Sequence, residues 1–221
     1  MALRRYRRSG PVRRRRKTGF RRRRMYRRVR KFRPKCAPGD MFCKLSKIAS
    51  ISVDNQTNHV YYTSVKLSDF DEWSNMRAVF QRTKIFRMKV TVQPLQNVSN
   101  NSTSTVPAYV MIPWHQPPFG PTTNFNAMIS IDKHKLRRQT QGCVQTYVPS
   151  CLQNARSAGE PSSEFSNILW RPTLANDYAQ STTIYGGAIG FQGDDSMEGR
   201  KTHFNIKIEL FVKMIQQESI S

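Results

Sequence analysis

Residues 203–215 read HFNIKIELFVKMI, and whether this stretch is helix or strand decides the fold. Phe204, Ile206, Ile208, Leu210, Val212 and Met214 recur at every second position, with His203, Asn205, Lys207, Glu209 and Lys213 between them. A period of two sends alternate side chains to opposite faces of a pleated chain, so this is a strand with one buried face. Residues 83–92, TKIFRMKVTV, repeat the pattern. They place Phe86, Met88, Val90 and Val92 inward and Thr83, Ile85, Arg87, Lys89 and Thr91 outward, and Pro94 ends the run.

Working outward from these two, further strands are expected at 44–53, 59–67, 106–113, 138–148, 165–171 and 182–191, eight in all. Segments rich in breakers at 96–105, 115–124, 154–163 and 192–201 read as loops. Residues 69–80, with an acidic start and Phe70, Trp73, Met76, Val79 and Phe80 near helical spacing, read as a short helix or turn. No long helical period appears, and Val, Ile, Thr, Phe and Tyr dominate between scattered Pro and Gly, which favours an all-β body. Eight strands with long polar loops suit a β-sandwich or barrel, the eight-stranded jelly roll among them.

Ahead of this body lies MALRRYRRSGPVRRRRKTGFRRRRMYRRVRKFRPK, residues 1–35. Nineteen of the chain's 37 basic residues fall here: Arg4, Arg5, Arg7, Arg8, Arg13, Arg14, Arg15, Arg16, Lys17, Arg21, Arg22, Arg23, Arg24, Arg27, Arg28, Arg30, Lys31, Arg33 and Lys35. The first acidic residue is Asp40, and the 18 basic residues beyond Lys35 face 14 acidic ones, a net of only +4. The positive charge therefore belongs to an arm, bounded at residues 1–40, and not to the body.

A planar guanidinium forks onto phosphate oxygens and stacks on bases better than an ammonium does. Tyr6, Phe20, Tyr26 and Phe32 are interleaved among the arginines, where a ring can stack on a base that a duplex would hide. The arm is thus expected to bind nucleic acid, single strands before duplex, with Tyr26 and Phe32 among the contacts. Like charges at this density repel and almost nothing apolar is available to bury, so the arm is expected to be disordered until phosphates neutralise it. A nuclear import signal needs only about five to eight basic residues, so import is an overlapping second use. With no apolar face, the arm does not insert in a membrane. In the body, Arg87 and Lys89 on one strand's polar face, and the KHKLRR cluster at 133–138, are further candidates for nucleic-acid contact; a solvated face or an ion pair is the plainer alternative.

Other chemistries find little support. Cys36, Cys43, Cys143 and Cys151 match no zinc or redox spacing and are expected to be reduced thiols. His59, His115, His134 and His203 show no ligand spacing, so no metal is expected. The run GGAIGFQG at 186–193 lacks the strand, turn and helix context of a phosphate loop; glycines easing tight packing are the better reading. Asp194, Asp195 and Glu198 read as a polar loop tip, and the Asn-x-Ser/Thr matches at Asn55, Asn97, Asn100 and Asn101 as polar loop. No run reaches the roughly 18 to 20 apolar residues of a spanning helix, and no secretory leader is seen, so a soluble protein is expected. Trp73, Trp114, Phe119 and Phe125, in or beside loops, are candidates for contacts between subunits or for closing their own sandwich.

The arm, the body length, the strand TKIFRMKVTV, the AYVMIP strand before a Pro-rich loop and the closing FNIKIELFVKM together resemble a circovirus or cyclovirus capsid protein over nearly the whole chain. The resemblance implies a single jelly-roll shell domain at 41–221, with about sixty copies closing a T=1 icosahedral shell. It further implies a circular single-stranded DNA genome inside, host nuclear import receptors acting on the arm, and a host cell-surface receptor, a sulfated glycan being one candidate. Virion and host nucleus are the implied locations, and no enzyme activity or cofactor is implied. Sixty such arms would carry on the order of 1,100 positive charges, the scale of a strand of roughly one to two thousand phosphates. The rival reading is a cellular ribosomal or chromatin protein with a basic tail. Such a protein is expected to keep a basic body surface, whereas this body is near neutral.

Overall fold

The alternating stretch becomes the longest strand, Lys201–Gln217, in a computed structural model that describes residues 37–95, 106–118, 124–156, 164–197 and 200–217. The arm and every candidate on it, Arg4 to Lys35, lie outside the described residues, as do Cys36, Phe119, Glu198 and the loop 96–105. In chain order the strands are β1 (Met41–Asp54), β2 (His59–Tyr62), β3 (Val65–Lys66), β4 (Phe80–Pro94), β5 (Ala108–Pro113), β6 (Lys135–Arg138) and β7 (Cys143–Tyr147). They continue as β8 (Ser150–Arg156), β9 (Glu164–Trp170), β10 (Thr173–Ala175), β11 (Thr183–Ile184), β12 (Gly187–Phe191) and β13 (Lys201–Gln217). Short helices α1 (Asp71–Met76), α2 (Phe125–Ile129) and α3 (Asn176–Ala179) lie between them.

Strand β13 is central to a five-stranded sheet, antiparallel to β1 on one side and β4 on the other, with β7 and β10 both pairing β4. The second sheet runs β2-β12-β5-β6. Four principal strands in each, β1, β13, β4 and β7 against β2, β12, β5 and β6, make the eight-stranded jelly-roll sandwich. All six apolar residues expected inward on β13 are buried, and they meet Leu45, Val90, Val92, Tyr109, Met111 and Phe191 between the sheets. The Phe191 ring lies 5.0 Å from that of Phe204 and 6.0 Å from that of Tyr109.

Strand β4 departs from the simple alternation. Arg87 faces Phe211 and Ile85 faces Val212, which leaves Phe86 as an extra residue in β4, a bulge. One extra residue reverses the parity of everything before it. Thr83 and Ile85, expected outward, are fully buried, and Phe86, expected inward, is turned out beside Arg87. Buried Thr83 is satisfied locally: the Trp73 indole N–H donates to its Oγ1 at 3.1 Å, and the hydroxyl donates to Asn176 Oδ1 at 2.7 Å.

Segment 138–148, expected as one strand, is two. A turn closed by the Gln141 amide on the Arg138 carbonyl at 2.9 Å sends β6 to one sheet and β7 to the other. The expected strand at 165–171 is β9, which pairs with β8 in a separate two-stranded ribbon, so residues 154–156, read as loop, are strand. Trp73 and Phe125 are buried in their own subunit, and Trp114 packs on the core beneath α2. Asn55, read as polar loop, is buried, its amide donating to Thr202 Oγ1 at 2.9 Å.

The outer face of the four-stranded sheet carries a second core. Val110, Ile112 and Ala188 are buried beneath Phe125 and Met128 of α2. That helix is started by the Asn124 side chain, which accepts from the Asn126 amide at 3.0 Å. Gly190 allows its approach, since a Cβ there would lie 2.4 Å from Met128 Sδ. Gly187 and Gly190 thus serve close packing within β12, and Gly186 and Gly193 close approaches on either side of it.

Candidate nucleic-acid interface

On the side away from the sandwich core, the five-stranded sheet carries charged and aromatic residues that are half-buried or exposed, Glu209 excepted. Register assembles this face from strands distant in sequence. Phe42 lies opposite Lys213, which lies opposite Lys84; Lys44, Phe211 and Arg87 form the next row; Ser46, Glu209, Lys89 and Thr146 the next; Ile48, Lys207, Thr91 and Val144 the one after. Six cations, Lys44, Lys84, Arg87, Lys89, Lys207 and Lys213, therefore share one surface with three phenylalanines.

At its centre Glu209 is only 4% exposed although it stands at an outward position. Its carboxylate accepts from Lys89 at 2.8 Å, Lys44 at 3.1 Å and Lys207 at 3.3 Å. The hydrogen bond from Lys89 is the main reason its pKa falls to about 2; those of Lys44 and Lys207 add to it and outweigh burial, which acts in the opposite direction. One negative charge thus fixes three ammonium groups and leaves the cluster at +2. Asp40 similarly pairs with Lys213 at 2.5 Å, and that bond lowers its pKa.

The bulge adds the aromatic part. Phe86 lies 6.2 Å from Phe42 between ring centroids, with the Lys84 ammonium 5.7 Å over its ring. The Arg87 guanidinium sits 4.3 Å from the centroid of Phe211. Lys84 and Arg87 have no carboxylate partner among the described residues.

Of the sequence candidates, the structure brings Arg87 and Lys89 together here, Lys89 within the Glu209 cluster and Arg87 beside it. The KHKLRR cluster instead forms the turn and exposed edge strand β6 of the other sheet, where charge blocks further strand pairing. Sequence reasoning missed Phe42, Phe86 and Lys44 as members of one surface, because pairing between β1, β13 and β4 has no local signal. A usable hint was Glu209 alone among Lys207 and Lys213 on one strand face. Among the described residues no group of His, Cys, Asp or Glu could hold a metal, and Cys43, Cys143 and Cys151 are free thiols. Burial, with Glu72 adding to it, raises Cys43 to about 11, which makes it a poor nucleophile.

The comparisons with known proteins agree with this architecture. The family model described as circovirus capsid protein matches residues 4–218. The capsid protein of Human associated cyclovirus 1 is 37% identical over 187 residues, covering 83% of this chain and 85% of that protein. Among solved structures, the crystal structure of the 60-mer BFDV capsid protein superposes with a TM-score of 0.61 at 14% identity, covering 82% of this chain and 96% of that one. The decameric BFDV capsid protein gives 0.54 at 13% identity, covering 80% and 99%. These structures share the fold, and the family match, which spans arm and body together, decides against a cellular tail-bearing protein: the chain belongs to the circovirus capsid protein family.

Proposed function

We propose that this chain is the structural, non-catalytic subunit of a small closed shell, and that it packages a single-stranded DNA genome. The observation that carries the reading is the division of labour along the chain: nineteen positive charges before Cys36, then a near-neutral jelly-roll body whose relatives are capsid proteins. A shell needs an outside that does not hold nucleic acid and an inside that does. The arm, at most about 115 Å when extended, supplies the counterions, and Arg87 and Lys89 add contacts from the body. Assembly from about sixty copies follows the closed symmetry such shells require and is supported by the 60-mer of the BFDV relative. The same arm serves as the nuclear import signal, and outward loops meet the host-cell receptor, a sulfated glycan fitting that role; virion and host nucleus are the corresponding locations.

Expression of the full chain and of a chain beginning at Cys36, followed by micrographs and absorbance of purified material, tests this. The full chain is expected to form closed particles containing nucleic acid, and the shortened chain particles without it. A body that stays monomeric at high concentration would sink the proposal.

A further inference from the structure

We infer that the two-stranded ribbon β8–β9 is clamped at its base by His115, and that the clamp opens when the imidazole is protonated, which makes the ribbon an acid-released arm of the body. This goes beyond the capsid reading and does not rest on it.

Ile168, Leu169 and Trp170 are consecutive on β9 and are 37%, 40% and 51% exposed. Neighbouring strand residues point to opposite faces, so neither face of the ribbon is sealed here by its own subunit. A two-stranded ribbon alone is marginally stable in water, and its pose depends on how its base is held. That base is the pair Ser150–Trp170, and His115 touches both members. Its Nδ1 lies 3.0 Å from Ser150 Oγ, and its ring is T-shaped to that of Trp170 with 4.5 Å between centroids. His115 is itself placed by Trp114, whose amide donates to the Gly186 carbonyl at 3.4 Å and whose indole N–H donates to the Pro117 carbonyl at 3.0 Å. One side chain from the loop after β5 therefore joins both strands of the ribbon to the body. Backbone bonds complete the base: Ser150 and Tyr185 exchange amide-to-carbonyl bonds of 2.9 and 2.7 Å, and the Arg171 amide donates to the Pro149 carbonyl at 2.8 Å. Arg171 leaves β9 at a φ of 50°, a left-handed conformation that a non-glycine residue seldom takes, so contacts and not preference hold this exit.

Charge decides what protonation does to the clamp. Ser150 is fully buried and His115 half-buried. From β8 the imidazole meets the Ser150 hydroxyl, with the Cys151 thiol next along, its pKa raised by burial. From β9 it meets Trp170, with Arg171 next along, and through Ser150 it neighbours Tyr185, just past β11. None of these is a carboxylate, and among the described residues no acid pairs with His115. An imidazolium formed here loses water and gains no counter-charge, and the one charge among these neighbours, Arg171, has the same sign. Burial accordingly lowers the His115 pKa from 6.5. Released into water the group returns to its ordinary value, so the clamped state holds fewer protons than the open one. Clamping is complete above about pH 6.5 and is lost as pH falls through the lowered value.

The test is amide hydrogen exchange by mass spectrometry on the full chain at about pH 8 and about pH 5, with rates corrected for the intrinsic effect of pH. Peptides carrying Ser150, Arg171 and Tyr185 are expected to lose protection about threefold or more on acidification, while those from β13 keep theirs. Glu209 stays ionised over this range, so β13 is a sound reference. His115→Asn puts a neutral amide in place of the imidazole and cannot take the proton, and its ribbon base is expected to show no such pH dependence. His115→Phe, which keeps a ring on Trp170, carries the same comparison where the Asn variant does not fold. Exchange of the imidazole C2–H in the parent chain reads the His115 midpoint without any substitution, and that midpoint is expected below 6.5. A midpoint at or above 6.5, as a cation–π contact with Trp170 would give, overturns the clamp. Base amides equally or better protected in acid overturn it too, as does a pH dependence that survives in the variants.

Discussion

On the outer face of the four-stranded sheet, Val110, Ile112 and Ala188 are buried beneath α2; on the outer face of the five-stranded sheet, lysines, Arg87 and three phenylalanines meet solvent. The two sheets share one core and differ in what lies behind them. The difference is written in their strands. AYVMIP and GAIGF are apolar without alternation because both faces are covered, whereas β13 alternates because one face is not. An uncovered face that is also cationic and aromatic is available to a polyanion; a face sealed by a helix is committed to stability.

The sharpest way to break the comparison is to place a charge behind the sealed sheet. Ile112→Lys puts an unpaired ammonium where exposure is 0%, beneath Phe125 and Met128. The expected loss is more than about 4 kcal/mol, read as failure to fold or a collapsed denaturant midpoint. Less drastic is Met128→Ala, which opens a cavity between α2 and Gly190 and is expected to cost about 2–4 kcal/mol without altering nucleic-acid binding. If that variant were as stable as the parent, α2 would be an ornament on the sheet and the contrast between the faces would weaken.

Much of this was legible from periodicity. All six inward residues of β13, the existence of β1 and β4 as strands and a short helix or turn between them follow from spacing, although β1 and β4 each begin three residues earlier than expected and the helix is confined to Asp71–Met76. What periodicity could not supply was anything set by pairing. The bulge at Phe86 exists because β4 must stay in register with β13 on both sides of it, and no residue within TKIFRMKVTV announces that. The turn that splits 138–148 sits in a polar run that alternates well enough to read as one strand. Glu209 looked like one more solvent residue, because its three lysines come from β1, β4 and its own strand. Arg87 and Lys89 were found from the strand's polar parity; the aromatic half of the surface was not.

Glu209 gives a prediction of intermediate size. Its carboxyl ordinarily titrates at 4.5 and in the fold at about 2, so its ionised form is bound more firmly in the folded state. That contribution is complete above about pH 4.5 and is lost as pH falls toward 2. Glu209→Gln leaves three ammonium groups around a neutral amide. With the lysine ends partly exposed and screened, the expected cost at neutral pH is about 1–2 kcal/mol. Denaturation followed from pH 7 to pH 2 should show the gap between variant and parent closing across that window. A gap that persists at pH 2 would mean that Glu209 acts by packing and not by charge.

The smallest expected effect tests the uncovered face with the substitution used on the sealed one. Ile48 stands on the outer side of β1, 62% exposed, opposite Lys207. Ile48→Lys adds a charge to a surface where water already reaches, so stability should move by no more than about 0.5 kcal/mol. Its consequence lies in binding. If the face carries the single strand, one more ammonium in this row engages one more phosphate, and the slope of log affinity against log salt steepens by about 0.7. An unchanged slope with unchanged stability would mean that the strand does not run past β1, and would confine the contact to the rows nearer the bulge. The same Ile-to-Lys change thus unfolds one sheet and strengthens the other's grip, a divergence that the chemistry of the two outer faces alone accounts for.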